Sequence, residues 1–205
     1  MEPEYGRSAG IIHAEKLIYA GEQLMFDYRK CFDEYCMNEN LDLKLSFDMP
    51  PGYEEANGTF DPASRTVYIH AERLCEAPDY EKAFFMFHEL RHASQYLRPE
   101  RFSEEIRRSL AYVIMYDGTC CKLVDGEYLE CKLDGGEEVF TALYLGQPYE
   151  ADANQFAYEQ VRKAYGDSEG LRELYRFCRP CHPVPPEQYD SVFSMIDEKI
   201  KSCNP

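Results

Sequence analysis

The chain has 205 residues, of which 44% are hydrophobic, 29% charged and 14% aromatic, with a mean hydropathy of -0.56, a composition that suits one globular domain with a real core. Its 22 Lys and Arg against 38 Asp and Glu give a formal charge of -16, the wrong sign for a protein that wraps phosphates, so no nucleic-acid role is expected. The longest apolar runs, such as Ala111 to Met115, fall far short of the roughly 20 residues that cross a bilayer, and no basic flank with an apolar core opens the sequence; the expectation is a soluble, cytoplasmic protein with no membrane partner.

From about Gly10 to Glu39, Ile11, Leu17, Ile18, Leu24, Met25, Tyr28, Phe32 and Tyr35 recur at threes, fours and sevens, the stripe of a long packing helix. Leu41, Leu43, Leu45, Phe47 and Met49 then alternate with polar residues, which predicts a strand with one buried face, ended by Pro50, Pro51 and Gly52. Gly58 to Phe60, the turn Asp61-Pro62-Ala63-Ser64 and the β-branched Thr66 to Ile69 read as a hairpin, giving a small antiparallel sheet. A second helix is expected from about Tyr80 to Leu97, between Pro78 and Pro99. Its middle, Ala83-Phe84-Phe85-Met86-Phe87-His88, is apolar around the whole circumference, which marks a central, buried helix.

Ser103, followed by Glu104 and Glu105, opens a third helix expected to reach about Met115. Asp125-Gly126 joins Thr119–Val124 to Glu127–Lys132 in a two-residue hairpin that sets Cys120 opposite Cys131. After the break at Gly135-Gly136, helices are expected from Pro148 to about Tyr165, from Glu169 to Phe177 and from Glu187 to Lys201. No repeat, low-complexity tract or linker interrupts this order. The result is one α+β domain over residues 1–205, with an N-terminal helix at 10–39, a catalytic core at about 41–166 and a C-terminal helical segment at 167–205.

Chemistry enters with His88-Glu89-Leu90-Arg91-His92, the HExxH pattern, placed inside the buried helix. Histidines four apart project from one face about one turn apart and can share a Zn²⁺, while the Glu between them reaches a metal-bound water. The plain alternative is a pair of core histidines satisfied by backbone or by Tyr and Asp side chains. Burying imidazoles next to Phe84-Phe85-Met86-Phe87 without a partner is costly, and a metal supplies the partner.

A third ligand is offered by the segment from Tyr149 to Ala157. At about 100° per residue, Ala153, Phe156, Ala157, Val161 and Ala164 define an apolar sector that contains Glu150, with Asn154 beside it. Asp152 projects to the opposite side with Glu159 and Lys163 and is expected to be solvated. A carboxylate on a packing face calls for a reason, and coordinating zinc is one; a helix N-terminal acid favoured by the dipole is the other.

HExxH followed by Glu-x-x-Ala on a second helix resembles the gluzincin metallopeptidases. The strings Phe87 to Gln95 and Glu150 to Ala157 look like the small mobile-element zincins of the ImmA/IrrE group, a resemblance that spans about Gly58 to Ala157. It implies a zincin-like domain, Zn²⁺ as cofactor, His88, His92 and Glu150 as ligands, and Glu89 as general base. It also implies that the hairpin from Gly58 to Ile69 supplies a substrate-side edge strand. In thermolysin-like members an Asp four residues after the Glu ligand orients a zinc histidine; that position is Asn154 here, whose amide oxygen can accept the same bond.

The activity so implied is hydrolysis of a peptide bond in a protein or peptide substrate, such as a regulatory protein. The alternative is a catalytically inactive zincin-fold binding or sensing module. Several groups are open as the oxyanion donor: Tyr68, Tyr96, Tyr128, Tyr144, Tyr149, Tyr158, His70 and His182. Of the nine cysteines, Cys120, Cys131, Cys178 and Cys181 invite a second, structural zinc site, although separate buried thiols are the expectation.

Overall fold

The computed structural model describes residues 26–203. Of the helix expected over 10–39, the described part is α1, Tyr28–Glu39; residues 10–25 of that expectation lie outside the described residues. Asp27 caps α1 by accepting from Lys30 N–H, and Asn40 ends it in the left-handed region at φ 51°.

The strand expected over 41–49 contracts to β1, Lys44–Ser46. Beyond it the Ser46 hydroxyl accepts from Asp48 N–H at 3.1 Å, a local bond that competes with a continued ladder. β2 (Gly58–Asp61) and β3 (Thr66–Ile69) form the expected antiparallel hairpin. The sheet is mixed rather than purely antiparallel: β1 runs parallel to β3, and the order β1-β3-β2 leaves β2 at an edge.

Against this sheet lies α2, Asp79–Leu97. It is buried on almost all sides, as its unbroken apolar middle requires: Ala83, Phe84, Met86 and Leu90 have no exposure at all, with 0% each. α1 and α5 (Pro148–Tyr165) pack on it, and with β2, β3 and α6 (Glu169–Phe177) they enclose the first of two apolar cores.

The third helix is shorter than its sequence suggests. Ser103 caps it as expected, but α3 covers only Glu104–Ser109, and Tyr112–Ile114 become β4. Pairing with β5 decides the matter: Tyr112 and Ile114 turn inward while Val113 stays half-buried, a period of two that tertiary contact imposes on a β-branched run. β5 (Thr119–Val124) and β6 (Glu127–Lys132) form the expected hairpin, with Asp125 at φ 51° and Gly126 at φ 88°, and Cys120 does stand opposite Cys131.

A helix the sequence reading passed over, α4 at Glu137–Leu145, follows Gly136 and buries Phe140 and Leu143. With α7 (Pro186–Cys203) it closes a second core on the β4-β5-β6 sheet, where Tyr112 stacks on Phe193 at 4.1 Å. Among the described residues no helix is long and apolar enough to cross a membrane.

Candidate metal centre

The site forms where α2 and the first turn of α5 meet. His88 and His92 project one turn apart from α2, with ring centroids 4.5 Å apart. Their Nε2 atoms come within 3.0 Å of each other. Glu150, in the first turn of α5, brings Oε2 to 3.4 Å from His88 Nε2 and 3.6 Å from His92 Nε2. The helical wheel therefore placed Glu150 correctly: it lies inward, with 6% of its surface exposed, and shares the cluster with both histidines.

Two imidazole nitrogens and a carboxylate oxygen converging in this way require a shared proton or a cation. The three edges, from 3.0 to 3.6 Å, bracket the edge of about 3.3 Å expected of a tetrahedron around an ion bound at about 2.0–2.1 Å. Two nitrogen donors and one oxygen donor at that spacing could hold a metal ion. Among the described residues this is the one group of three or more His, Cys, Asp and Glu side chains able to share an ion. Cys120, Cys131, Cys178 and Cys181 assemble no second such group among the described residues.

Charge and burial compete here. Burial disfavours charge on His92, but the adjoining Glu150 carboxylate outweighs it and raises the imidazole to about 9. Burial also works against the Glu150 anion, and His92 and His88 outweigh it, holding the carboxyl well below the usual range. For Glu89 burial prevails: the carboxyl is pushed up despite the two histidines, and Glu150 adds to the rise. Glu89 is 5% exposed and lies against the start of β2, where a Cβ on Gly58 would fall 2.8 Å from Glu89 Cγ.

The expected role of Asn154 is not realised. Its amide donates to the carbonyl of Cys178 at 3.0 Å, tying α5 to the end of α6. His92 is held instead by Gln95, whose Oε1 lies 2.8 Å from His92 Nδ1. Sequence reasoning missed Gln95, although its spacing of three from His92 put it on the same helical face. Asp152 is not a solvated acid either. It accepts from Arg91 Nε at 2.8 Å and from a second Arg91 nitrogen at 3.0 Å, and its carboxylate also accepts from Gln95. The wheel set Asp152 on the solvent side of α5; the structure instead turns it, like Glu150, to partners on α2.

Of the groups left open as oxyanion donors, Tyr158 stacks on Tyr175 at 4.4 Å, and His70 Nδ1 accepts from Arg73 N–H. Tyr96 and Tyr149 are raised chiefly by burial, whereas Tyr144 is raised first by the charge of Glu150 and then by burial. Tyr144 also meets Tyr116 edge to face at 4.7 Å. No protein-family model, curated protein or solved structure matches this chain.

Proposed function

We propose that this protein is a zinc-dependent metallopeptidase that cleaves a peptide bond in a protein substrate. The observation that carries the reading is the convergence of His88 Nε2, His92 Nε2 and Glu150 Oε2 within 3.6 Å, with a buried, proton-seeking Glu89 between the two histidines in sequence. His88, His92 and Glu150 would hold the ion, and the chemistry a zinc ion would supply there is Lewis acidity toward water and the scissile carbonyl.

The remaining work falls to the chain itself. Glu89 takes a proton from the attacking water, holds it in its desolvated pocket and returns it to the leaving amine; the upward push on its carboxyl brings it nearer the neutral range where both transfers are efficient. Tyr144, kept protonated by Glu150 and by burial, is the donor we assign to the charge developing on the carbonyl oxygen. β2, the sheet edge beside Glu89, gives an extended substrate a strand to pair with.

A second reading, a binding or sensing module on the same framework, draws on how far the ligands are covered: their side chains are 14%, 9% and 8% exposed for His88, His92 and Glu150. The experiment that separates the two measures zinc content and proteolysis in wild type, His88→Ala and Glu89→Gln. The peptidase reading expects stoichiometric zinc in wild type and Glu89→Gln, loss of zinc in His88→Ala, and cleavage in wild type alone. Zinc retained without cleavage in wild type transfers the case to the binding module. Absence of zinc from wild type removes the metal centre.

A further inference from the structure

We propose that Gln95 is the positioning residue of this centre: its one side-chain amide fixes the His92 ring with Nε2 toward the metal and pegs the Glu150-bearing turn of α5 to the same helix. The inference rests on the metal-centre reading above and adds to it the element that sets ligand geometry.

The orientation of the amide follows from its partners. Gln95 is fully buried, with 0% exposure, so each of its polar atoms needs a partner within the protein. Its nitrogen lies 2.8 Å from the Tyr149 carbonyl oxygen and 2.8 Å from Asp152 Oδ2. Both of those atoms only accept, so the nitrogen is assigned and Oε1 is the atom facing His92 Nδ1 at 2.8 Å. An acceptor in that place demands a proton on Nδ1. In the neutral ring the lone pair is then on Nε2, the atom 3.0 Å from His88 Nε2 and 3.6 Å from Glu150 Oε2.

The two acceptors on the other side of the amide flank Glu150 in sequence. Holding Tyr149 and Asp152 therefore holds the backbone that carries the third ligand. Asp152 is itself immobilised by the two-pronged Arg91 contact, and the Arg91 guanidinium lies over the rings of Phe102 at 4.5 Å and Phe156 at 4.7 Å. His88 has no such support: its Nδ1 is buried with no hydrogen-bond partner. Of the two ligating imidazoles, His92 is the one whose rotation is fixed by a hydrogen bond.

Two measurements test this. In the zinc-loaded wild type, long-range ¹H–¹⁵N spectra of the imidazoles should show His92 with a protected Nδ1–H and metal on Nε2; metal on Nδ1, or a proton on Nε2, overturns the proposal with no variant needed. Gln95→Met keeps the volume and removes the polar atoms, and it should weaken zinc affinity about 10- to 100-fold in competition with a chromophoric chelator. The same variant should lose the protection of the His92 Nδ1–H, which a merely structural amide would not control. Zinc affinity within about twofold of wild type in that variant overturns the positioning role while leaving the metal centre standing. A wild type that binds no zinc overturns both.

Discussion

Gly58 and Glu89 are in such close contact that a Cβ at residue 58 would lie 2.8 Å from Glu89 Cγ, 3.0 Å from its Oε1 and 3.0 Å from the Tyr68 carbonyl oxygen. The last of these is backbone of the central strand β3 and cannot yield, so an added methyl would displace the Glu89 side chain. Gly58→Ala is expected to lower peptide cleavage by about 10- to 100-fold, as a shift near 1 Å in a reacting group does, while zinc content stays stoichiometric. Steady-state cleavage assays beside metal analysis check this. Unchanged cleavage would show that the proton transfer proposed for Glu89 does not depend on this contact.

The candidate metal cluster was legible in the sequence because helical geometry is local: HExxH fixes its own spacing, and the wheel drawn on the segment after Pro148 sufficed to turn Glu150 inward. What supports the cluster was not legible, because it depends on which helix lies alongside. Asp152 carries a charge that the sequence pattern assigns to solvent, and only the approach of Arg91 and Gln95 from α2 turns it into an internal partner. The same limit explains the third helix. Ser103 caps it, but its end is set by the pairing of Tyr112–Ile114 with β5, a contact remote in sequence. α4 is a different case: Glu137 and Glu138 after Gly136, and Gly146 beyond Leu145, are ordinary start and stop signals that the breaking effect of Gly135-Gly136 overshadowed.

Zinc should raise thermal stability by mass action, because the unfolded chain cannot assemble ligands from α2 and α5. At a free zinc concentration about 100 times the dissociation constant, the gain is about 2.7 kcal/mol, or roughly 5–10 °C in Tm for a chain of this size. Scanning calorimetry of the protein stripped by a chelator and then reloaded measures it. His92→Ala should abolish the difference between the two scans. A Tm indifferent to zinc would mean that the three side chains do not bind it in the folded state.

The Arg91–Asp152 pair is expected to contribute to stability beyond an ordinary surface ion pair. Its side chains are 25% and 22% exposed, the contact is two-pronged, and the guanidinium is covered by two aromatic rings. Asp152→Ala should cost about 1–3 kcal/mol, since it leaves a half-buried guanidinium without its acceptor. Arg91→Lys should also destabilise, because an ammonium group reproduces neither the fork nor the stacking. Urea midpoints with unchanged slopes give the values. A loss below about 0.5 kcal/mol in both variants would reduce the pair to an exposed ion pair in energetic terms.

Tyr144 offers a test of the proposed hydrolysis as distinct from the proposed metal centre. Its hydroxyl is raised first by the Glu150 charge and next by burial, so it stays protonated and able to donate throughout the working pH range. A donor aimed at charge that appears only during reaction contributes to turnover and not to ground-state affinity. Tyr144→Phe should therefore lower kcat by about 10²- to 10³-fold with KM and zinc content close to wild type. Tyr116→Phe, which keeps the edge-to-face ring and removes only the hydroxyl that pairs with that of Tyr144, should give a much smaller loss. If Tyr144→Phe instead raises KM at unchanged kcat, its hydroxyl holds substrate in the ground state, and the donor to the carbonyl oxygen must be sought among Tyr96 and Tyr149, the other candidates whose hydroxyls feel Glu150.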